Sequence, residues 1–409
     1  MSKEESDSGR VAASDLRQAV LSRYLASHGR QGEERLGRFV GCLLGGAVGD
    51  ACGAPVEFMS RAEILELHGA RGLRTYVEAY GRRGAITDDT QMTLFTAKGL
   101  LRAWVRRTLR GIGPVFAAVT DRAYGRWMLT QGERAGFDAE PSKLLNGWLI
   151  REPELHARRA PGNTCLAALR GKATAGEPAT NTSKGCGGVM RVAPVGLLCL
   201  ALGPGQDAKD RDDVTFALGR EIAGLTHGHP SGKAPAGYLA VVIAALADGA
   251  SWAAAHERGR RPLAAAPPCG ETLTMLDEAV RLAASRPQDP AAVRHLGQGW
   301  VAEEALAISV YCAASALGQP DADDAKFENA LALAVNHDGD SDLTGAITGN
   351  IVGAALGQDC IGEKWLGDLE MREGIREVAQ DLATLSVWRI AEQEAREEFD
   401  YWVSRYPGG

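Results

Sequence analysis

Strand patterning is what this sequence most lacks: nowhere does β-branched alternation persist for the length of a strand. That absence, beside long Ala/Leu-rich runs at helical spacing, predicts an all-α chain forming a single main domain. Paired cysteines are missing too. The eight cysteines, at 42, 52, 165, 186, 199, 269, 312 and 360, form no CxxC, which excludes a zinc knuckle or a disulfide framework and leaves most of them as small buried hydrophobes. Uncharged runs such as 192–206 are broken by Pro and Gly and fall short of a membrane span. No apolar leader follows the opening Met-Ser-Lys-Glu-Glu, so cytoplasmic residence is the expectation. An excess of positive charge is absent as well. The net charge of −7 excludes a general nucleic-acid binder, although a local site for a phosphate-bearing small molecule can oppose the global sign.

What is present is an ordinary globular balance, 45% hydrophobic and 24% charged over 409 residues, enough for a large core. Residues 1–35 read as an N-terminal arm, polar and partly disordered at its start, that docks on the body or on a partner; the body runs from 36 to 409. Gly37, Gly41, Gly45, Gly49 and Gly53 recur every fourth residue, and Gly345, Gly349, Gly353 and Gly357 repeat the pattern. On helices this makes two ridges without side chains. Each interior Gly costs about 1 kcal/mol against Ala, so both ridges should be buried where backbones approach closely. The stretch from Arg258 to Gly270 reads as a Pro/Ala/Arg linker within the body.

Two acidic clusters carry the chemistry. Thr87-Asp88-Asp89-Thr90 precedes an apolar helical run, where Thr or Asp makes an N-cap. His337-Asp338-Gly339-Asp340-Ser341-Asp342-Leu343-Thr344 precedes the second glycine ridge. Carboxylates this crowded repel one another unless a cation or proton relieves them. An EF-hand loop starting at Asp338 fails, because its sixth and twelfth positions are Leu343 and Gly349 rather than Gly and Glu. Asp340-x-Asp342-x-Thr344 also matches an aspartyl-phosphate signature, which stays as an alternative although no apolar strand runs into it. Together, Asp88, Asp89, Asp340, Asp342 and Thr87 form an all-oxygen set suited to Mg²⁺ or Mn²⁺. Thr182 to Arg191 adds a glycine-rich loop able to cradle an anion. His227 and His229 lack partners at zinc spacing and read as pocket-lining residues.

These motifs resemble, in kind and order, those of the ADP-ribosylglycohydrolase family. The matching stretches are 45–57, 87–92, 183–191, 226–230, 299–305 and 336–342. The resemblance implies a compact orthogonal helical bundle with two magnesium ions, manganese being a possible substitute. It implies Thr87, Asp88, Asp89, Asp340 and Asp342 as metal ligands, and Glu57 with Asp340 as catalytic carboxylates. Ser183, Lys184, Gly185, Cys186, Gly187, Gly188 and His227 would hold ADP-ribose. The implied reaction is release of ADP-ribose from a modified protein, arginine being the expected acceptor. One position departs from the family. Leu343 stands where a Ser or Thr usually reaches a metal, and Thr344, turned by roughly 100° on a helix, would not replace it. The competing expectations are an ADP-ribose-binding module of weakened chemistry, and neutralisation of an ADP-ribosyltransferase through the arm. Neither nucleic acid nor membrane is expected as a partner.

Overall fold

The computed structural model describes residues 3–111, 113, 115–138, 145–203, 207–266, 268–392 and 394–407; side chains are described from residue 13 onward. Among these residues there are seventeen α-helices and no strand, only the isolated bridges Ala79–Arg82 and Gly185–Val301. The all-α orthogonal bundle expected from the sequence is what forms.

The helices are α1 (Lys3–Gly53), α2 (Arg61–His68), α3 (Asp88–Arg110), α4 (Phe116–Thr130), α5 (Asn163–Gly171) and α6 (Ala193–Leu202). They continue with α7 (Ala208–Gly224), α8 (Pro230–Ala247), α9 (Trp252–Ala265), α10 (Gly270–Ser285), α11 (Pro290–Leu296) and α12 (Ala302–Leu317). The last five are α13 (Asp323–Val335), α14 (Ser341–Leu356), α15 (Glu363–Leu366), α16 (Arg372–Thr384) and α17 (Arg396–Arg405). α8, apolar on all sides, lies inside, against α6, α7, α9, α12 and α14. A single hydrophobic cluster joins nearly all of the helices.

The two glycine ridges pack on each other, antiparallel. A methyl built at Gly41 would lie 2.6 Å from the Gly353 carbonyl, one at Gly345 2.5 Å from the Gly49 carbonyl, and Gly45 faces Gly349 in the same way. Backbone therefore touches backbone along α1 and α14, with the Asn350 side chain donating to the Cys42 carbonyl at 2.7 Å. Such contact fixes the register, because any added side chain would have to displace main chain. Its consequence for the site is direct. The end of α1, with Asp50, is held beside the start of α14, where Gly53 abuts Ser341 and Asp342.

The arm is helical from Lys3, and α1 kinks at Gly29 (φ 55°, ψ −145°). Its Arg17 pairs with Asp381 at 2.5 Å, and Arg23 grips Glu398 at 2.9 Å and the Val387 carbonyl at 2.7 Å. One expectation needs correcting: Arg258 to Gly270 is not a linker. Ser251 caps α9, which runs through Pro262 to Ala265, and Arg258 binds Asp212 at 2.6 and 3.0 Å. Proline near a helix end removes one donor without ending the helix when tertiary contacts hold the turn. No helix among the described residues is long and apolar enough to cross a membrane.

Candidate active site

Thr87 is the N-cap of α3, as its sequence context predicts, and accepts from the Asp89 N–H. Asp50 organises this turn. Fully buried, it accepts from the Thr87 N–H at 3.0 Å, the Thr87 hydroxyl at 2.8 Å, the Thr90 N–H at 3.1 Å and the Thr90 hydroxyl. The preceding residue is pinned from the other side. Glu370 accepts the Ile86 N–H at 3.1 Å and pairs with Arg159, which donates to the Ile86 carbonyl at 2.7 Å. Asp88 accepts from the Gly162 N–H at 3.1 Å, while Asp89 Oδ1 is buried without a partner.

The closing cluster is fixed with equal care. The Asp340 N–H donates to the Gln298 carbonyl at 2.9 Å, and Gly339 adopts φ 125° with that carbonyl where a Cβ would project. Asp338 turns from the cluster and accepts the Arg61 N–H at 2.9 Å, which anchors the start of α2 and with it the loop after Glu57. Leu343 is buried, and its N–H donates to Asp342 Oδ1 at 2.9 Å. The Thr344 hydroxyl is taken up by the Asp340 carbonyl (2.8 Å), the Ala334 carbonyl (2.9 Å) and His337 Nε2 (2.8 Å).

Glu57, Asp340 and Asp342 converge, each offering an oxygen within 4.8 Å of the other two. Glu57 is 7% exposed and its Oε2 has no partner. Burial, then the negative charge of Asp342, pushes Glu57 up to about 10 and Asp50 up to about 7. The same causes hold Asp89 and Asp340 well above the usual carboxylate range, and burial does so for Asp88. A group of oxygens that is buried, mutually repelling and in part unpartnered has the chemistry of a hard-cation site.

The glycine loop faces the same region. Cys186 Sγ donates to Asp340 Oδ2 at 3.0 Å. The Ser183 hydroxyl accepts the Gly185 N–H at 3.1 Å, and Gly187 lies where a Cβ would stand 3.0 Å from Cys165 Sγ and 3.4 Å from the His227 ring. His227 is buried beside Arg191, and both effects lower it to about 3, so its ring is neutral. Thr226 Oγ1 accepts from Arg191 and lies within hydrogen-bond distance of His227 Nδ1 at 2.9 Å. The other ring nitrogen, Nε2, faces the glycine loop, 3.2 Å from a Cβ built on Gly185. Lys184 instead sits between Glu271 (2.5 Å) and Glu303 (3.6 Å), so much of its charge is already met. Phe58 and Trp300, 74% and 39% exposed, stack with centroids 5.8 Å apart next to Glu57.

Asp50, Glu370 and Arg159 are the residues the sequence reading left without a role. Asp50 had one signal: it is the acidic end of an apolar glycine-ridged helix.

A family model described as ADP-ribosylglycohydrolase matches residues 31–391. The ADP-ribosyl-[dinitrogen reductase] glycohydrolase of Rhodospirillum rubrum is 27% identical over 341 residues, 82% of this chain and 91% of that protein. An uncharacterized protein of Archaeoglobus fulgidus is 29% identical over 365 residues, 85% of this chain and 96% of that one. A solved structure titled ADP-ribosylglycohydrolase-related protein complex aligns with a TM-score of 0.58 at 25% identity, covering 87% of this chain and 100% of the other.

Proposed function

Because this chain belongs to the ADP-ribosylglycohydrolase family, whose members release ADP-ribose from modified targets, we propose that it acts on ADP-ribosyl-arginine in protein and requires divalent cations. The observation that carries the reading is the convergence of Glu57, Asp340 and Asp342 within 4.8 Å. The donor set fits Mg²⁺ or Mn²⁺: Asp88, Asp89, Asp340 and Asp342 would hold two ions, with the Thr87 oxygen as a further donor. Bound cations would lower the pKa of a water and polarise the ribose oxygens.

The chain's own groups do the rest. The neutral ring of His227 and the backbone of the Ser183–Gly188 loop offer polar contacts for the diphosphate and ribose, with no side chain at 185, 187 or 188 to block approach. Glu57 holds a proton at neutral pH because burial and its acidic neighbours raise it. Neighbouring cations would pull that value back toward neutrality, where the proton can pass to the departing guanidine nitrogen. As the bond from the anomeric carbon to that nitrogen breaks, water supplies the new oxygen and gives up one proton, which restores the Glu57 carboxyl. Arginine suits the mouth of the site: its guanidinium is attracted by the carboxylates, and the Phe58 and Trp300 rings offer faces for a planar cation.

The test is release of ADP-ribose from arginine-modified and serine-modified proteins, with Mg²⁺ or with chelator. Release from the arginine conjugate that stops on chelation is expected. No release at millimolar Mg²⁺ or Mn²⁺ overturns the reading. A second reading, an ADP-ribose-binding module of weakened chemistry, is favoured by one observation. Leu343 supplies no oxygen and the Thr344 hydroxyl is already engaged. ADP-ribose binding by calorimetry without turnover would select it. Neutralisation of an ADP-ribosyltransferase through the arm draws less support, since Arg17 and Arg23 are engaged within the chain.

A further inference from the structure

A second concentration of charge, opposite in sign, lies well away from the carboxylates. Lys98, Arg102 and Arg106 follow at four-residue spacing on α3, and Arg122 and Arg126 do so on α4, which packs against it. That spacing puts each set on one helix face. Three of these side chains are withdrawn from water: Lys98 is 0% exposed, Arg126 2% and Arg102 8%.

Buried cations are ordinarily paired, and among the described residues these three have no carboxylate in salt-bridge contact. They converge instead on one neutral residue. Asn146 Oδ1 accepts from Arg102 at 2.7 Å and from Arg126 at 2.8 Å, and the Asn146 carbonyl from Lys98 Nζ at 3.4 Å. Arg126 also donates to the Arg122 carbonyl at 2.8 Å, while its Nε is buried without a partner. Burial, then the charge of Arg126 and Arg102, holds Lys98 well below its usual value. Guanidinium groups cannot escape by deprotonating, so the repulsion between Arg102 and Arg126 persists. Arg122 and Arg151 are exposed around them, and the charge of Asp138 acts on Arg122 and Arg126 without forming an ion pair with either.

We propose that the buried cation cluster of Arg102, Arg126 and Lys98, where α3 packs on α4, binds a tetrahedral oxyanion, free phosphate or the phosphate of a small phosphorylated molecule. Two guanidinium forks already converging on a single oxygen are the arrangement that phosphate oxygens satisfy. The site is separate from the carboxylate cluster. Lys98 lies ten residues along α3 from Asp88, roughly 15 Å at the helical rise. An anion there would brace the helix whose first turn carries Asp88 and Asp89.

The test is thermal unfolding and calorimetry of the full chain in inorganic phosphate against chloride at matched ionic strength. A saturable rise of the midpoint in phosphate is expected. The Arg102→Met/Arg126→Met variant should lose that rise and, in chloride, unfold at a higher temperature than the parent, because unpaired buried charge has been removed. Should that variant not fold, Arg122→Gln at the exposed rim should weaken phosphate binding several-fold at low salt. Glycerol phosphate binding more tightly than phosphate would assign a phosphorylated small molecule, and equal binding the free ion. Equal effects of phosphate on parent and double variant would mean general salt stabilisation and overturn the proposal. So would the absence of any effect of phosphate on the parent.

Discussion

Leu343 sits where the closing acidic run becomes α14, 2% exposed, with its N–H on Asp342 Oδ1. Replacing it by Ser removes buried apolar volume, at a cost of roughly 2–5 kcal/mol, and places a hydroxyl beside Asp342. Leu343→Ser should therefore lower the unfolding midpoint while raising kcat and lowering the Mg²⁺ concentration for half-maximal ADP-ribose release. An unchanged Mg²⁺ dependence would show that the position plays no part in holding the cation. Asp50 makes the opposite case, a residue that supports the site without standing in the expected ligand set. An amide there keeps the shape but turns donor hydrogens toward Thr87 and Thr90. Asp50→Asn should cost about 1–3 kcal/mol in unfolding by urea and reduce turnover at least about 10-fold. The acidic residues of both clusters were legible because residue type and spacing carry their chemistry. Asp50 was not, because a lone acid in an apolar helix acquires its meaning only from a turn 37 residues away. Lys98, Arg102 and Arg126 were equally silent, since a Lys or Arg every fourth residue reads as a solvated helix face until burial is known.

At the scale of elements, the α1–α14 contact sets the distance between the two halves of the site. The glycine repeats announced two buried ridges, and the structure adds that each is the other's partner. That pairing could not follow from the sequence, since a side-chain-free ridge accepts any close neighbour. Two substitutions on one helix separate packing from propensity. Gly49→Ala would drive a methyl into the Gly345 carbonyl, whereas a Cβ at Gly37 meets nothing within 4 Å. Gly49→Ala should destabilise by about 1–3 kcal/mol despite its better helix propensity and should reduce activity, because Asp50 moves relative to Asp342. Gly37→Ala should instead gain up to about 1 kcal/mol and leave activity unchanged. Equal urea midpoints for the two variants would contradict the backbone contact. The stretch from Arg258 to Gly270 shows the converse limit of local reading. Pro and Ala suggested a linker, but Ser251 capping and the Arg258–Asp212 pair keep it helical to Ala265.

For the molecule as a whole, folding must bury a cluster of carboxylates that resist ionising together, and this couples stability to protons and to cations. An acid raised on folding contributes fully to stability below its unfolded pKa and loses that contribution as pH rises through its folded value. Asp50 is raised from 3.8 to about 7 and Glu57 from 4.5 to about 10, first by burial and then by Asp342. In chelator the unfolding midpoint should therefore fall as pH rises from about 5 to about 9, more steeply up to about pH 7, where Asp50 and Glu57 both contribute, and less steeply above it, where Glu57 alone does. A divalent cation bound as proposed would compete with those protons for the same oxygens and bind the folded state alone, so it would stabilise more as protons leave. Saturating Mg²⁺ should flatten the profile, and the gap between the Mg²⁺ and chelator curves should widen with pH. The measurement is a set of melts across that range in both conditions. Parallel curves would mean that the cation does not bind where these protons reside, and the all-oxygen site between α1, α3 and α14 would then need another occupant.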